Sequence, residues 1–495
     1  MIDHFIAGRE QGRAPQRVGE VYDPSTGQVR AQVAFASPED VDAAVGAALG
    51  AFSEWRHESL SQRTRIMFAF RELVERRKQD LARVISSEHG KVLADAVGEV
   101  SRGQEVIEFA CGIAHLSKGG FSENVSSKVD SYSIRQPLGV IAGITPFNFP
   151  AMVPMWMYPV AIACGNSFVL KPSEKDPSAA NFVAELWQEA GLPDGVFNVV
   201  HGDKVAVDRL LQHRDVAAVS SVGSTPVARY IYETAARNGK RVQALGGAKN
   251  HMIVLPDADM EAAADAAVSA GYGSSGQRCM AISTIVAVGE AGDALVEKIA
   301  DRLAGLRIGP ATDPVAEMGP LVTGEHRDKV ASFIEAGERQ GAKLIVDGRE
   351  ASVEGHERGF FLGPCLFDRV TTDMSIYTEE IFGPVLVVLR ADAYDDAIAI
   401  VNSNRYGNGT AVFTNDGGAA RKFVNEVEVG MVGINVPIPV PMAFYSFGGW
   451  KDSLFGDLHI HGPEGVAFYT RGKVVTSRWS DPEARGVDLG FPANR

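Results

Sequence analysis

Residues 139–144 (GVIAGI) are a short apolar run that begins and nearly ends on glycine, and the fold can be derived outward from it. Such a run, bounded by turn residues, is typical of a strand buried on both faces of a sheet. Two similar runs follow, 167–170 (SFVL) and 196–200 (VFNVV), with an amphipathic helix predicted between them over 179–190. That helix is expected to end at 191–193 (GLP), a common stop signal. Strand–helix–strand repetition predicts a parallel sheet with right-handed crossovers.

The flanking sequence extends this pattern. Two further strand units are predicted through 217–222 and 242–245, and a second α/β segment begins after Asp257. Residues 60–116 have helical periodicity, and 122–135 alternate like an exposed polar ribbon. The apolar face of the helical region is predicted to comprise Ile66, Phe68, Phe70, Leu73 and Val74.

Composition and charge exclude several classes of protein. With 495 residues the chain is expected to form two or three domains, and 45% hydrophobic with 22% charged residues is ordinary for a globular enzyme. A net charge of −14 provides no basic field for nucleic acid or an anionic membrane, so neither is expected as a partner. No apolar run is long enough to cross a bilayer.

Cysteine usage indicates a reducing compartment. The spacing of the four cysteines is that of neither a disulfide framework nor a zinc site, so no metal site is predicted. Residues 1–8 (MIDHFIAG) lack the features of a secretory signal and of an organelle transit peptide. We therefore expect a cytoplasmic protein, and the prior removal of a transit peptide stays open as the alternative.

One of these thiols, Cys279, lies in an unusual setting. It belongs to 271–280 (GYGSSGQRCM), where glycines and serines let the chain bend sharply and Arg278 directly precedes the sulfur. A neighbouring cation favours the thiolate, the form that attacks a carbonyl carbon. A small core residue in a glycine-rich turn is the alternative interpretation.

Four motifs decide between these interpretations. In chain order they are 145–150 (TPFNFP), 171–174 (KPSE), 276–279 (GQRC) and 379–385 (EEIFGPV). In this order they resemble the NAD(P)-dependent aldehyde dehydrogenases over all but the C-terminal end of the chain. The resemblance implies an α/β fold with two Rossmann-type parallel-sheet domains and an oligomerisation β-ribbon. It also implies a homodimer or a homotetramer, between which the sequence does not choose.

Domain boundaries follow from the same resemblance. The NAD-binding domain is expected to comprise 1–118 and 138–247, and the catalytic domain 248–448. The oligomerisation ribbon and the C-terminal tail are expected to comprise 119–137 and 449–495, with the tail after Trp479 irregular and exposed.

The catalytic residues are predicted to be Cys279 and Asn148. Asn148 follows a buried strand, where ligands collect in open α/β sheets, and its amide N–H groups can face an oxyanion. A simple turn asparagine is the alternative. The resemblance implies that the Asn148 amide and the Cys279 backbone N–H form the oxyanion hole.

Several residues are predicted to bind NAD. Lys171 and Glu174 follow a strand end, where an acid can bind ribose hydroxyls while its charge disfavours a 2′-phosphate, and an exposed turn of mixed charge is the alternative. The resemblance implies that this lysine and this acid bind the adenosine ribose, so NAD is favoured over NADP. Gly223 and Ser224 precede a helix predicted to open at Val227, whose free N–H groups can hold a pyrophosphate.

The resemblance adds five residues to the cofactor site. Glu380 is expected to bind the nicotinamide ribose and Phe382 to wall the nicotinamide, with a helix-cap acid and a core aromatic as the alternatives. The set also includes Thr145, Phe147 and Lys175.

The sequence departs from the common pattern at Ala244. Most aldehyde dehydrogenases have a glutamate directly before Leu-Gly-Gly, which activates the water that hydrolyses the thioester, and this chain has Ala244-Leu245-Gly246-Gly247. Without a general base, the rate at which water attacks the thioester should fall by about 10²–10⁴-fold. A thiol such as coenzyme A needs less assistance because it ionises closer to neutral pH. An inactive enzyme is the alternative.

Further stretches resemble the CoA-acylating methylmalonate-semialdehyde dehydrogenases. They are 246–251 (GGAKNH), 433–441 (GINVPIPVP), 446–451 (SFGGWK) and 462–466 (GPEGV). The substrates of that subfamily carry a carboxylate, which guanidinium groups bind well. The resemblance assigns this role to Arg102 and Arg278, although a solvated helical arginine is the alternative for Arg102.

The sequence therefore predicts NAD-dependent oxidation of methylmalonate or malonate semialdehyde through a Cys279 thioester, with CO₂ lost and coenzyme A as the co-substrate. Propionyl-CoA or acetyl-CoA would be the product. A hydrolytic semialdehyde dehydrogenase that releases a free acid is one alternative. A non-catalytic binding or structural protein on the same fold is another.

Overall fold

The computed structural model describes residues 1–12 and 14–479. The prediction made for the tail after Trp479 lies outside the described residues. In chain order the strands are β1 (Phe5–Ile6), β2 (Arg9–Glu10), β3 (Arg17–Asp23), β4 (Gln28–Phe35), β5 (Phe121–Ser126), β6 (Val129–Pro137), β7 (Val140–Ile144), β8 (Ser167–Lys171), β9 (Phe197–Val199), β10 (Val216–Val222), β11 (Arg241–Leu245), β12 (Asn250–Val254), β13 (Ile282–Val288), β14 (Lys343–Val346), β15 (Cys365–Asp368), β16 (Val385–Ala391), β17 (Tyr406–Gly407), β18 (Gly409–Phe413), β19 (Met431–Ile434), β20 (Trp450–Lys451), β21 (Leu454–Phe455) and β22 (Thr470–Arg478).

The helices surround these strands. They are α1 (Pro38–Trp55), α2 (Leu60–Arg76), α3 (Lys78–His89), α4 (Leu93–Cys111), α5 (Ile113–Leu116), α6 (Met152–Ala163), α7 (Ser178–Glu189), α8 (Lys204–Gln212), α9 (Thr225–Arg237), α10 (Met260–Tyr272), α11 (Ala291–Ala304), α12 (Gly324–Arg339), α13 (Ser375–Thr378), α14 (Tyr394–Ser403), α15 (Gly417–Glu426) and α16 (Gly462–Phe468), with a 3₁₀ turn at Gly273–Gly276. Within the described part of the chain, no helix is both long and apolar enough to cross a membrane.

The first sheet contains the predicted strand units. Its strand order is β2-β1-β9-β8-β7-β10-β11-β21, and β9 through β11 are parallel neighbours. Every residue of β7 and β8 is buried, because helices cover both faces of a parallel sheet. The predicted parallel α/β architecture is confirmed.

The second sheet is built from the later α/β segment. Its order is β14-β15-β16-β13-β12-β18-β19, parallel except for the antiparallel edge strand β14. Because parallel strands end at the same edge, the loops that follow β7, β8 and β10 gather at one edge of the first sheet. The active-site candidates lie on these loops and on the loops that precede β13 and β16.

A third, antiparallel sheet of order β22-β6-β5 forms the ribbon expected from residues 122–135. β6 and β22 pair from Pro137 opposite Thr470 to Val129 opposite Arg478. Strand β21 lies within the 449–495 segment that was expected to belong to the ribbon and the tail. It pairs instead antiparallel with β11 at the edge of the first sheet. A strand of this length has no sequence periodicity from which its pairing could be predicted.

The helical region 60–116 forms α2 to α5, and one residue of its predicted apolar face is wrong. Ile66, Phe70, Leu73 and Val74 are buried, whereas Phe68 is 57% exposed. Residues four, seven and eight positions after Ile66 share its face, but a residue two positions away lies nearly opposite.

Candidate active site

The loop before Cys279 bends as its glycines and serines predicted. After α10 ends, the Gly273–Gly276 turn places Ser274, Ser275 and Gly276 at φ values of 53°, 55° and 69°. Side-chain-bearing residues rarely adopt this left-handed conformation, which costs about 1–2 kcal/mol for each of them. The surrounding structure must therefore hold the turn in place.

Contacts from three directions do so. The Ser275 hydroxyl donates to the Gly319 carbonyl at 2.6 Å, and the Ser274 N–H donates to Asp95 Oδ2 at 3.1 Å. A Cβ atom on Gly276 would lie 2.1 Å from the Gly383 carbonyl oxygen, so only glycine allows this approach. The turn thereby brings Cys279 against the loop that precedes β16.

Cys279 lies between two cavities. The larger, of about 480 Å³, is formed by α4, α6 and the loop before β13. It is lined by Lys91, Ala94, Asp95, Gly98, Glu99, Arg102, Phe149, Met152, Trp156, Ser274, Arg278, Cys279, Met280, Ile438 and Val440. The second, much narrower cavity places Cys279 beside Ala248, Glu380 and Phe382. Cys279 thus lines a cavity large enough for a small molecule and also a narrow cleft that it shares with Glu380 and Phe382.

The thiol itself is held protonated. Burial raises the pKa of Cys279 to about 12, and the negative charge of Glu380 acts in the same direction. Arg278 lowers that pKa, as expected from the sequence, but its effect is weaker than burial. Arg278 therefore favours the thiolate in the predicted direction, while burial has the larger, opposing effect on the pKa of Cys279.

Asn148 lies in the loop between β7 and α6, close to the larger cavity. Its backbone carbonyl accepts a hydrogen bond from Lys91 Nζ at 2.7 Å, and the next residue, Phe149, lines the cavity together with Cys279. The residue is 2% exposed, and its Oδ1 has no partner among the described residues. Asn148 is thus a buried residue whose amide oxygen has no hydrogen-bond partner among the described residues.

The predicted ribose-binding residues lie together after β8. Lys171 Nζ contacts Glu174 Oε2 at 3.1 Å. Burial raises the pKa of Glu174, but the neighbouring lysine and a backbone hydrogen bond outweigh it and hold that pKa below its usual value. Lys175 Nζ lies 4.7 Å from the ring centre of Phe147, and Thr145 Oγ1 is buried without a partner among the described residues.

Gly223 and Ser224 precede α9, which begins at Thr225, two residues before the predicted start. Ser224 is the N-cap residue, yet its side chain accepts no hydrogen bond from the helix. The first N–H groups of a helix have no partner within it, so this end can accept an anion such as a pyrophosphate. This edge of the sheet therefore fits a dinucleotide.

Glu380 and Phe382 connect the two sheets at this edge. The Ala248 N–H donates to Glu380 Oε1 at 3.0 Å, and burial raises the pKa of Glu380 to about 7. Phe382 has a φ of 58°, and its ring meets that of Phe147 edge-on, with 5.8 Å between the ring centres. The cofactor candidates from both sheets thus face the same region.

The two predicted carboxylate-binding arginines line the cavity of Cys279. Arg278 Nη2 contacts Asp95 Oδ1 at 2.8 Å. Arg102 Nη1 contacts Glu105 Oε2 at 2.7 Å, and its Nη2 donates to the Pro441 carbonyl at 3.0 Å. Each guanidinium is therefore held by one acid, and both arginines line the same cavity.

Comparison with known proteins agrees with this geometry, since residues 11–475 match the aldehyde dehydrogenase family. The chain belongs to that family. It is 54% identical to the malonate-semialdehyde dehydrogenase of Pseudomonas aeruginosa over 97% of this chain and 96% of that protein. It is 48% identical to the acylating, mitochondrial methylmalonate-semialdehyde dehydrogenase of Arabidopsis thaliana, over 96% of this chain and 78% of that protein.

Solved structures give the same result. The methylmalonate-semialdehyde dehydrogenase of Oceanimonas doudoroffii superposes with a TM-score of 0.96 at 54% identity, over 98% of this chain and all of the other. A Sinorhizobium meliloti protein assigned to the same activity and solved with NAD gives a TM-score of 0.96 at 54% identity, over 97% and 98% of the two chains. As a member of the family, this aldehyde dehydrogenase is an NAD-dependent oxidoreductase that acts on aldehydes.

The charged residues that line the cavity of the thiol were not evident from the sequence. Asp95 holds Arg278, and Glu99 forms an ion pair with Lys91. Asp95, Glu99 and Arg102 follow each other at spacings of four and three, which places them on one face of α4. That spacing was visible, but charged residues in a helix are usually solvated, so it indicated no site.

Ala244 of this aldehyde dehydrogenase does not line either cavity at Cys279. Its methyl group packs in the apolar layer that includes Val140 and Ala228, whereas Leu245 belongs to the opposite layer together with Met280. Successive residues of a strand point to opposite faces, so position 244 faces the helices behind the sheet. The side chain of Ala244 thus supplies no carboxylate that could accept a proton from water.

The raised pKa of Cys279 predicts how its alkylation depends on pH. Only the thiolate reacts, so in the ligand-free enzyme the rate with iodoacetamide should rise about tenfold per pH unit between about pH 7 and pH 10, without a plateau. Glu380→Gln should raise the rate in the upper part of this range, because the ionised Glu380 opposes thiolate formation. The half-exposed neighbour Glu379→Gln serves as the control and should change little. A plateau near pH 8 would contradict the prediction.

Proposed function

We propose that this enzyme oxidises malonate semialdehyde or methylmalonate semialdehyde with NAD and transfers the acyl group to coenzyme A, releasing CO₂ and acetyl-CoA or propionyl-CoA. The observation that carries the proposal is the position of Arg102 and Arg278, which both line the cavity of Cys279. Guanidinium groups in a partly buried cavity favour a substrate that bears a carboxylate. The names of the relatives support the same substrate class.

Cys279 is the proposed nucleophile. Once the thiol has lost its proton to water, the sulfur forms a bond with the aldehyde carbon, and the π electrons of the carbonyl pass to its oxygen, which becomes an alkoxide. The Asn148 amide and the Cys279 N–H stabilise this charge, since donors aimed at a developing oxyanion contribute about 2.7–4 kcal/mol each. NAD, when bound, supplies the hydride acceptor. Loss of the hydride from the former aldehyde carbon leaves a thioester on Cys279.

The proposed NAD site consists of the residues at the edge of the first sheet together with Glu380 and Phe382. Lys171 and Glu174 would bind the adenosine ribose, and Gly223 and Ser224 the pyrophosphate. An ionised Glu174 would repel a 2′-phosphate, which favours NAD over NADP.

The carboxylate of the substrate then leaves. In the thioester it is β to the carbonyl, so the bond between the carboxylate and the α-carbon breaks and its electron pair enters the thioester enolate as CO₂ departs. A proton then adds to the α-carbon. Arg102 and Arg278 would hold the carboxylate during oxidation, and their acidic partners Glu105 and Asp95 would retain the guanidinium groups when it leaves.

Coenzyme A is the proposed acyl acceptor because Ala244 supplies no carboxylate for activating water and the carboxylates near the thiol have other partners. Three carboxylates line the two cavities, namely Asp95, Glu99 and Glu380. The first is bonded to a guanidinium, the second to an ammonium, and the third to the Ala248 N–H. A thiol ionises without such a base, so it can attack the thioester carbonyl and displace the Cys279 thiolate.

Omission of coenzyme A tests this acceptor. With malonate semialdehyde and NAD alone, we expect NADH equivalent to the active sites and then turnover at least about 10²-fold slower than with coenzyme A, as is typical when a general base is missing. Stopped-flow absorbance measures both phases. Full turnover without coenzyme A, with a free acid as product, would establish the hydrolytic alternative. No NADH from any semialdehyde would support the non-catalytic one.

Substitution of the arginines tests the substrate class. Arg278→Met and Arg102→Met should each lower kcat/KM for malonate semialdehyde by about 10–150-fold, the value of a charge-assisted hydrogen bond of about 1.5–3 kcal/mol. Propionaldehyde lacks the carboxylate, so its kcat/KM should change little. Arg17→Met is the control, since Arg17 contacts Asp203 away from the site. Equal losses with both aldehydes would overturn the assignment.

The proposed compartment is the cytoplasm, because the four cysteines are free.

The proposed assembly is a homo-oligomer whose interface is the ribbon. The ribbon exposes apolar side chains, with Phe121 and Val474 66% and 73% exposed. Contiguous apolar groups on a surface are typical of an interface. Val474→Asp should therefore lower the molar mass measured by light scattering, whereas Val315→Asp, in an exposed loop, should not. An unchanged mass for Val474→Asp would contradict this interface.

A further inference from the structure

A fully buried ion pair stands beside the catalytic cavity. Lys91 Nζ lies 2.7 Å from Glu99 Oε2, and the exposed fraction of both side chains is 0%. Taking two charges out of water costs several kcal/mol per ion, and their attraction repays this only with good geometry and additional hydrogen bonds. Apolar residues could fill such a space at least as stably. The pair therefore requires an explanation beyond stability.

Lys91 contacts the segment that carries Asn148. Its ammonium group donates to the Asn148 carbonyl at 2.7 Å and lies 4.4 Å from the ring centre of Phe149. A charge-assisted hydrogen bond to a carbonyl fixes the orientation of that peptide group. The backbone from which the Asn148 side chain projects is thus bound directly to the ion pair.

Glu99 contacts the same loop three residues further along. Its Oε1 accepts hydrogen bonds from the N–H groups of Ala151 at 2.8 Å and Met152 at 3.1 Å, at the start of α6. A carboxylate is well placed at a helix N-terminus, where the N–H groups lack partners within the helix. The pair therefore holds the loop at two points, at Asn148 in its middle and at the first turn of α6.

We infer that Lys91 and Glu99 are positioning residues, which hold the Asn148 loop so that its amide meets the oxygen of the reacting aldehyde. Asn148 suits this role because its Oδ1 has no partner among the described residues, so its side chain is oriented by its backbone and surroundings rather than by a hydrogen bond at that atom. The inference rests on the oxyanion-hole role proposed for Asn148.

A double-mutant cycle tests it. Asn148→Ala should lower the single-turnover rate of NADH formation by about 10²–10³-fold. Lys91→Met should lower it by about 10-fold or more, because the amide is then no longer held in place. If Lys91 acts through Asn148, the double variant should be no slower than Asn148→Ala alone, since residues that act as one unit are not additive.

Two controls separate positioning from stability. Arg390→Met removes one partner of the ion pair with Asp368 in the second sheet, so it should lower Tm while leaving the rate unchanged. The alkylation rate of Cys279 in Lys91→Met should match that of the wild-type enzyme. Should Lys91→Met fail to fold, Glu99→Gln replaces it in the cycle, since it removes the charge and keeps the shape.

Each outcome is informative. A double variant slower by the product of the two single effects would overturn the positioning role and leave the proposed function intact. Asn148→Ala at the wild-type rate would instead overturn the oxyanion role itself, and the inference with it. A non-additive cycle, with an unchanged alkylation rate, would establish that Lys91 acts through Asn148.

Discussion

The close approach of two backbones is the constraint on which the site depends. Gly276 lies so near the Gly383 carbonyl that a side-chain carbon would be 2.1 Å from its oxygen. Through this contact the left-handed turn before Cys279 packs directly on the loop that carries Glu380 and Phe382. A larger residue at position 276 would separate the thiol from the cofactor side, whatever the remaining residues were.

The charges around the thiol form a second level of organisation. Asp95 and Glu99 each hold a cation at the cavity wall, while Glu380 lies beside the sulfur with a pKa raised to about 7 by burial. Burial and this neighbour together raise the pKa of Cys279 to about 12. A thiol with a raised pKa has a smaller thiolate fraction at neutral pH, and the thiolate is the form that reacts.

The sequence predicted those strands and helices that are determined by the residues within them. The strands β7, β8 and β10 were evident because strands buried on both faces are continuous apolar runs, and the residues after them follow from the parallel topology. The function of Lys91, Asp95 and Glu99 could not be predicted, because it depends on which loops the fold brings against α4. The exposure of Phe68 was not predicted because its position relative to Ile66 in the helical repeat was misjudged. The pairing of β21 was not predicted because a strand of two residues has no periodicity in the sequence.

The fate of the acyl group follows from the same arrangement. Ala244 first suggested that water is not activated because one base is missing, yet its methyl group faces the apolar layer behind the sheet. The carboxylates near the sulfur also have partners in the ligand-free enzyme, since Asp95 and Glu99 each bind a cation and Glu380 accepts a hydrogen bond from the Ala248 N–H. A glutamate introduced at position 244 would have to turn its carboxylate away from the apolar residues that pack on Ala244, because burying an unpaired charge costs free energy. Hydrolysis requires a carboxylate that reaches the thioester, and position 244 of this chain offers only a methyl group.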